Sequence, residues 1–453
     1  GNTMGCFYIE SPAMRLLQKK SKVGDFPHVV IHSSIIRPAA NEFISAYLKR
    51  LHTGQWEPIH PLMEDILEET LGIMVFQEDV SKVAVHLAGF THAQADNLRK
   101  IMSKKDKIQT LRDYHARFQE GAARKGVTRA DIQRIWDMII SFSGYSFCKP
   151  HSASYARVSF QAAYLKTHYP AEFMAAVISN QGGFYTTFAY VSEARRMGVK
   201  ILCPDILESD IKWTGRDFQL RVGFMAIKNL SASTMDRIKK ERKHTPFGSL
   251  ENFFDRVAPR EDEIQALVHS GCLDIFRRDK NRSALLWAFA VWQKARDNKE
   301  MPTLFDQIGF DQVRFDPIQF DQARFNKVRE PIPRLPADDP KHLLRQEFSV
   351  LGFLCACHPI LLFARQIQQA KTLKAIDLPR HIGQRVGFAG WLITGKTIKT
   401  KQGDPMKFLT FEDETGIVET LFFPKAYAKF CHILEYGNPY FLFGRLESDW
   451  GAI

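Results

Sequence analysis

At 453 residues the chain is too long for one ordinary hydrophobic core, and such a length points to about three domains. A content of 45% hydrophobic and 25% charged residues excludes a disordered or fibrous protein. The net charge of +12 favours a polyanionic partner, either nucleic acid or an anionic membrane surface, and says nothing about fold.

Residues 1–33 carry short apolar runs, among them Val29, Val30 and Ile31, which read as strands or turns. From about 40 to 200 the pattern is helical. Ile44, Tyr47, Leu48 and Leu51 recur at helical spacing, as do Val80, Val83, Ala84 and Leu87. Asp131 is expected to cap a helix lined by Ile135, Met138, Ile139 and Phe142, which Gly144 ends. Helical segments lie on both sides of Pro170. Residues 201–225 read as extended pieces, followed by two helix-turn-helix units, one over 227–238 and one over 264–273 with its turn at Ser270 and Gly271.

Residues 301–340 hold six prolines, and phenylalanine recurs at 305, 310, 315, 320 and 325. A spacing of five builds no continuous apolar face on a helix or a strand, so the stretch reads as a linker. From about 385 the period becomes two. Strands are expected at 386–391, 408–411, 417–422 and 440–443, with a turn at Glu414, Thr415 and Gly416 and a helix over 424–434 begun by Pro424. Such an order resembles an OB-fold, a five-stranded barrel whose last strand would lie beyond Ile453.

Of seven cysteines only Cys355 and Cys357 are close in sequence, and their one-residue gap is not that of a zinc knuckle. Buried free thiols in a reducing cytoplasm are expected. No apolar run is long enough to cross a bilayer, and no signal peptide or amphipathic anchor is evident.

Two stretches carry chemistry. Between Thr91 and Ala130 ten Lys or Arg stand against four acids, half the chain's net charge in under a tenth of its length. Arg99, Lys100, Lys104, Lys105 and Lys107 belong to it. It reads either as a solvated helical face or as a phosphate-contacting surface. The second stretch runs from Phe142 to Ala156, where Tyr145, Lys149 and His151 share a Gly- and Pro-bounded loop that feeds a helix. Such a loop places rings against a base and cations against phosphate. Taken alone, His151 reads as an ordinary structural histidine.

Residues 144–156 resemble the GYxFxKxHSxxYA signature in the fingers of the bacterial DNA polymerase III alpha subunit, a C-family DNA polymerase. Residues 71–78 resemble the same family's YGI-to-QE segment with Leu71 in place of tyrosine. Residues 95–100 resemble its ADxLR(R/K) segment, and residues 168–173 its HYPAEF. The segments follow the family's order and the resemblance covers most of the chain. Residues 5–11, 31–40 and 178–185 look most like the error-prone, damage-inducible paralogue.

The resemblance implies a multi-domain, mainly α chain followed by a small β-barrel. It divides as the end of the palm and start of the fingers (1–40), helical fingers (41–200), tandem helix-hairpin-helix (201–290), linker (291–340), connecting segment (341–384) and partial OB-fold (385–453). It implies a nucleotidyl transfer of dNTPs onto a primer 3′-hydroxyl, in translesion synthesis. Arg99 and Lys100 occupy the pair that meets the triphosphate, and Tyr145, Lys149 and His151 the loop over the nascent base pair. Lys104, Lys105, Lys107, Lys228 and Gly271 are expected to meet primer-template DNA. In the first hairpin, Asn229 and Ser231 stand where the family usually has glycine.

The family's two Mg²⁺ ions are held by palm aspartates of a PDxDxDF motif, which this chain lacks. It reads as a fragment without catalytic residues or metal ligands, unable to extend a primer alone. The rival reading is a non-catalytic DNA-binding scaffold without a palm. Leu304 and Phe305 end a short segment that resembles the family's sliding-clamp ligands; accessory translesion proteins would be further partners.

Overall fold

The computed structural model describes residues 1–37, 41–102, 108–141, 147–277, 281–300, 335–400 and 402–453. The chain opens with two helices, α1 (Pro12–Ser21) and α2 (Phe26–Ile35). Val29, Val30 and Ile31, expected as strand or turn, lie inside α2. The helix starts where Asp25 accepts the His28 N–H, and Pro27 suits its first turn. Every residue from 29 to 35 is buried, so the helix has no polar face, and a buried helix and a buried strand look alike in sequence.

Six helices follow: α3 (Asn41–Thr53), α4 (Glu64–Leu67), α5 (Gln77–Ala88), α6 (His92–Met102), α7 (Ile108–Arg124) and α8 (Arg129–Ile140). Val80, Val83, Ala84 and Leu87 of α5 meet Leu98, Phe118, Ile135 and Ile139 in one core. Helices α5 and α7 approach closely at Gly121, where a Cβ would stand 1.9 Å from the Ala88 carbonyl oxygen. The cap of α8 is Thr128, whose hydroxyl oxygen accepts the Asp131 N–H at 3.1 Å, so Asp131 sits inside the first turn and is not the cap. Helix α8 ends at Ile140, ahead of the glycine expected to stop it.

A long α9 (Lys149–His168) and α10 (Pro170–Asn180) are separated at Pro170, and α11 (Thr187–Arg196) follows. Strands β1 (Lys200–Leu202), β2 (Thr214–Arg216) and β3 (Gln219–Arg221) form a small sheet in the order β1-β3-β2. Then come α12 (Ala232–His244), α13 (Leu250–Val257), α14 (Glu261–His269) and α15 (Arg282–Glu300). The first hairpin is closed by a short 3-10 turn at Phe224–Ala226 rather than by a full helix. Asn229 holds a left-handed φ of 66°, the conformation that glycine would adopt there, while Ser231 has an ordinary φ and caps α12.

Beyond α16 (Pro340–Leu351) and α17 (Ala364–Gln369) lies a sheet of four antiparallel strands. These are β4 (Arg385–Lys399), β5 (Pro405–Glu412), β6 (Ile417–Phe422) and β7 (Pro439–Arg445), in the order β6-β5-β4-β7. Each expected strand falls inside one of them. Helix α18 (Pro424–Phe430) continues as a 3-10 turn, Cys431–Ile433, over most of the expected 424–434. Phe388, Leu392, Leu409 and Phe411 fill the concave side, a half-barrel consistent with an OB-fold. Among the described residues no helix is long and apolar enough to cross a membrane.

The half-barrel is joined to the helical part by charge as well as by apolar packing. Arg196 of α11 donates to the buried Glu412 of β5 at 3.1 Å and to Glu193 at 3.1 Å. Lys166 of α9 reaches the other oxygen of Glu193 at 2.6 Å. His358 approaches Glu412 from a third side at 3.5 Å. Burial works against the charge on Arg196, but Glu412 and Glu193 outweigh it and raise the affinity of the guanidinium for its proton.

Candidate nucleic-acid interface

The N-terminus of α5 is where separate sequence segments meet. Its first turn is organised by Asp79, whose carboxylate accepts the N–H groups of Val75 and Phe76 at 2.9 and 2.8 Å. Burial pushes the Asp79 carboxyl up to about 6, although those hydrogen bonds oppose the shift. The first residue of α5, Gln77, accepts Arg99 Nη1 at 2.8 Å, and its own N–H donates to the Phe147 carbonyl at 3.0 Å. Glu78 accepts the Lys149 N–H at 3.0 Å, which caps the start of α9.

Arg99 and Lys100 share one carboxylate. Arg99 donates through Nε and Nη2 to Asp96 Oδ1 at 3.0 and 2.7 Å, and Lys100 Nζ lies 2.7 Å from Asp96 Oδ2. The hydrogen bonds from Lys100 and Arg99 hold the Asp96 carboxyl below the usual carboxylate range. The Lys149 ammonium bonds Glu69 and stands 5.6 Å over the Phe76 ring. His151 is exposed and lies parallel to Phe147 at 6.3 Å and against Tyr155 at 4.1 Å. Tyr8 meets Tyr155 edge-on at 4.8 Å, so residues 7–8 of the N-terminal segment join this aromatic group.

Arg99 and Lys149 are therefore linked through Gln77 and Glu78 at the start of α5, Lys100 shares Asp96 with Arg99, and His151 joins through the Phe147 ring. Tyr145, Lys104, Lys105 and Lys107 lie outside the described residues, as do Leu304 and Phe305. Gln77, Glu78 and Tyr155 stand inside the sequence motifs, yet sequence reasoning assigned them no role. Their place in those motifs was the available signal; the bonds of Gln77 to Arg99 and of Glu78 to Lys149 join separate segments, while Tyr155 meets His151 one turn along α9.

The hairpins differ from one another. In the first, the Lys228 N–H and ammonium donate to the Val350 and Ser349 carbonyls at 3.0 and 3.2 Å, so Lys228 ties the hairpin to α16. Ser231 donates its N–H and hydroxyl to Glu263 at 3.1 and 2.6 Å, which links the first hairpin to α14. Burial opposes the charge on Glu263, but bonds from Arg260, Ser231 and Thr234 outweigh it and keep its carboxyl low. In the second hairpin Gly271 has φ +81°, and a Cβ there would stand 2.6 Å from Arg282 Nη2. The Gly271 N–H donates to the Val268 carbonyl at 3.1 Å, inside the turn.

Mg²⁺ takes oxygen donors, carboxylates above all. Among the described residues, three or more metal-donating side chains converge only at Cys203, Glu347 and Cys355. Two thiols and one carboxylate do not fit Mg²⁺, and no step of nucleotidyl transfer is assigned to them.

The described residues thus hold a helical region with paired cations beside stacked rings, followed by helical hairpins and an OB-like half-barrel. Residues 1–126 match the bacterial DNA polymerase III alpha subunit finger domain, and residues 198–285 match a helix-hairpin-helix motif. The chain is 31% identical over 455 residues to DNA polymerase III subunit alpha of Bacillus subtilis, covering 99% of this chain and 39% of that protein. It is 31% identical over 460 residues to that of Aquifex aeolicus, covering 99% of this chain and 37% of the relative. An error-prone DNA polymerase of Symbiobacterium thermophilum is 28% identical over 489 residues, covering all of this chain and 45% of the relative. The chain belongs to the bacterial DNA polymerase III alpha subunit family and spans about two fifths of the length of these relatives.

Proposed function

We propose that this chain supplies the nucleotide- and duplex-binding part of a DNA-directed DNA polymerase, which adds dNTPs to a primer 3′-hydroxyl in the cytoplasm. The observation that carries the reading is the meeting of Arg99, Gln77, Glu78 and Lys149 at the start of α5. An incoming triphosphate competes with Asp96 for the forked guanidinium of Arg99 and the ammonium of Lys100, and gains charge-assisted hydrogen bonds from both. His151, Phe147 and Tyr155 offer ring faces and edges to the nascent base pair. The hairpins hold the duplex behind it. Exposed Phe408, Phe441 and Phe443 on the half-barrel, with Lys407 between Tyr427 and Tyr436, suit stacked single-stranded bases. In this reading the Mg²⁺ carboxylates belong to the part of the polymerase that this chain does not span.

The error-prone relative supports a role in translesion synthesis, as does the resemblance of residues 5–11, 31–40 and 178–185 to that paralogue. Primer-template DNA is then the main partner. Leu304 and Phe305 fit a sliding-clamp ligand, and accessory translesion proteins would complete the assembly.

The test is fluorescence anisotropy of a labelled, dideoxy-terminated primer-template across a salt series. Affinity should fall linearly on a log-log plot. Replacing Lys104, Lys105 and Lys107 by Glu should flatten the slope by about one for each phosphate that is no longer neutralised. The matched dNTP should tighten the complex, and Arg99→Ala should remove that tightening while leaving the salt slope in place. A salt-independent complex, or one in which Arg99→Ala keeps the dNTP effect, sinks the reading.

A further inference from the structure

Cys203 follows β1, while Glu347 lies on α16 and Cys355 just after it. The fold brings one donor atom from each within 4.8 Å of the others. Glu347 and Cys355 are buried, and Cys203 opens to solvent. The Glu347 carboxylate is fixed by the Cys355 N–H, which donates to Oε1 at 2.6 Å. The backbone beside Cys355 is fixed as well, because Arg195 donates to the Leu354 carbonyl.

We propose that Cys203, Glu347 and Cys355 form a site for one thiophilic divalent cation of the Zn²⁺ class, with solvent at the fourth position. Two thiolates select such a cation over Mg²⁺ or Ca²⁺. At Zn–S distances of about 2.3 Å, two sulfurs of a tetrahedral site are about 3.8 Å apart, a spacing that fits donors lying within 4.8 Å of one another. On binding, both thiols release their protons to solvent. Two thiolates and a carboxylate leave the cation one negative charge in excess. Arg195 and Arg282, which interact with these groups electrostatically, compensate it.

Such a site is structural. It ties the strand that leads into the hairpins to the segment that leads into the half-barrel. Cysteine spacing does not reveal it, since the close pair in sequence is Cys355 and Cys357, and the pair in space is Cys355 and Cys203.

The full chain, purified under reducing conditions and passed through a chelator, should retain one equivalent of Zn²⁺ by elemental analysis. After exchange, Co²⁺ should give a thiolate-to-cobalt charge-transfer band with the d–d bands of a tetrahedral ion. Cys203→Ser, a conservative change at the surface, should lose the equivalent, as should Glu347→Gln. Cys431→Ser and Cys357→Ser should keep it. If Glu347→Gln fails to fold, the wild-type cobalt spectrum and Cys203→Ser decide the matter. Three results would overturn the proposal: no retained metal in the wild type, equal retention in Cys203→Ser, or a Cys203 to Cys355 disulfide in non-reducing peptide maps.

Discussion

Two groups of ion pairs in this molecule use the same chemistry to different ends. At the end of α6 and the start of α9, Arg99, Lys100 and Lys149 pair with Asp96 and Glu69 at the surface; the Lys100 side chain is 60% exposed. At the joint between α11 and the half-barrel, Arg196 and Glu412 are 12% and 0% exposed. Exposed pairs are screened and worth little to stability, so they are easily exchanged for a phosphate. A buried pair cannot give up one partner without leaving the other uncompensated in a poor solvent for charge. Burial thus separates cations available to a ligand from cations that hold domains together.

The largest expected effect is at the joint. Arg196→Ala leaves the buried Glu412 without its guanidinium partner, while Glu193 keeps Lys166, and should cost about 3–5 kcal/mol, read from denaturant unfolding followed by tryptophan fluorescence. A loss below about 1 kcal/mol, the range of a surface pair, would erase the distinction between the two groups.

Next comes a buried ionisable group with no counter-charge beside it. His32 is fully buried, its ring nitrogens find no hydrogen-bond partner, and burial lowers its affinity for a proton from the ordinary 6.5 to about 4. The folded imidazole stays neutral while the unfolded one takes up a proton below 6.5. Stability present above pH 6.5 is therefore lost as the pH falls toward 4, by about 3 kcal/mol in all. His32→Phe should remove that slope in urea titrations run from pH 7.5 down to 4. An unchanged slope would assign the loss to other groups.

The smallest effect is at the surface cluster. Asp96→Asn should change stability by no more than about 1 kcal/mol, because both its pairs are exposed. It should nevertheless lower the dNTP concentration needed to tighten the primer-template complex, because Asp96 competes with phosphate for Arg99 and Lys100; a rise would mean that Asp96 orients Arg99 instead. A stability loss as large as that of Arg196→Ala would place the cluster with the joint.

Much of the local structure follows from sequence patterns with local physical causes. The stripe of Val80, Val83, Ala84 and Leu87 requires a helix with one apolar face, and that face is the one buried. The two-residue alternation after 385 requires a sheet with one wet side. The turn at 414–416 is closed by the side chain of Asp413, which accepts the Thr415 and Gly416 N–H groups at 2.7 and 2.9 Å. The motif residues Arg99, Lys149 and His151 were legible by resemblance. Gln77, which bonds Arg99, and Glu78, which bonds the Lys149 N–H, were not, because those bonds cross between segments.

What the sequence determined by itself was the period of each segment and the chemistry of its side chains, because both depend on residues a few positions apart. Only the tertiary structure decided whether Val29, Val30 and Ile31 are helix or strand, since burial on all sides removes the alternation that would tell them apart. It also decided that Arg196 answers to Glu412 and that Cys355 faces Cys203. These pairings are set by how helices and sheet pack, and no local pattern in a chain encodes the partner of a charge that lies hundreds of residues away.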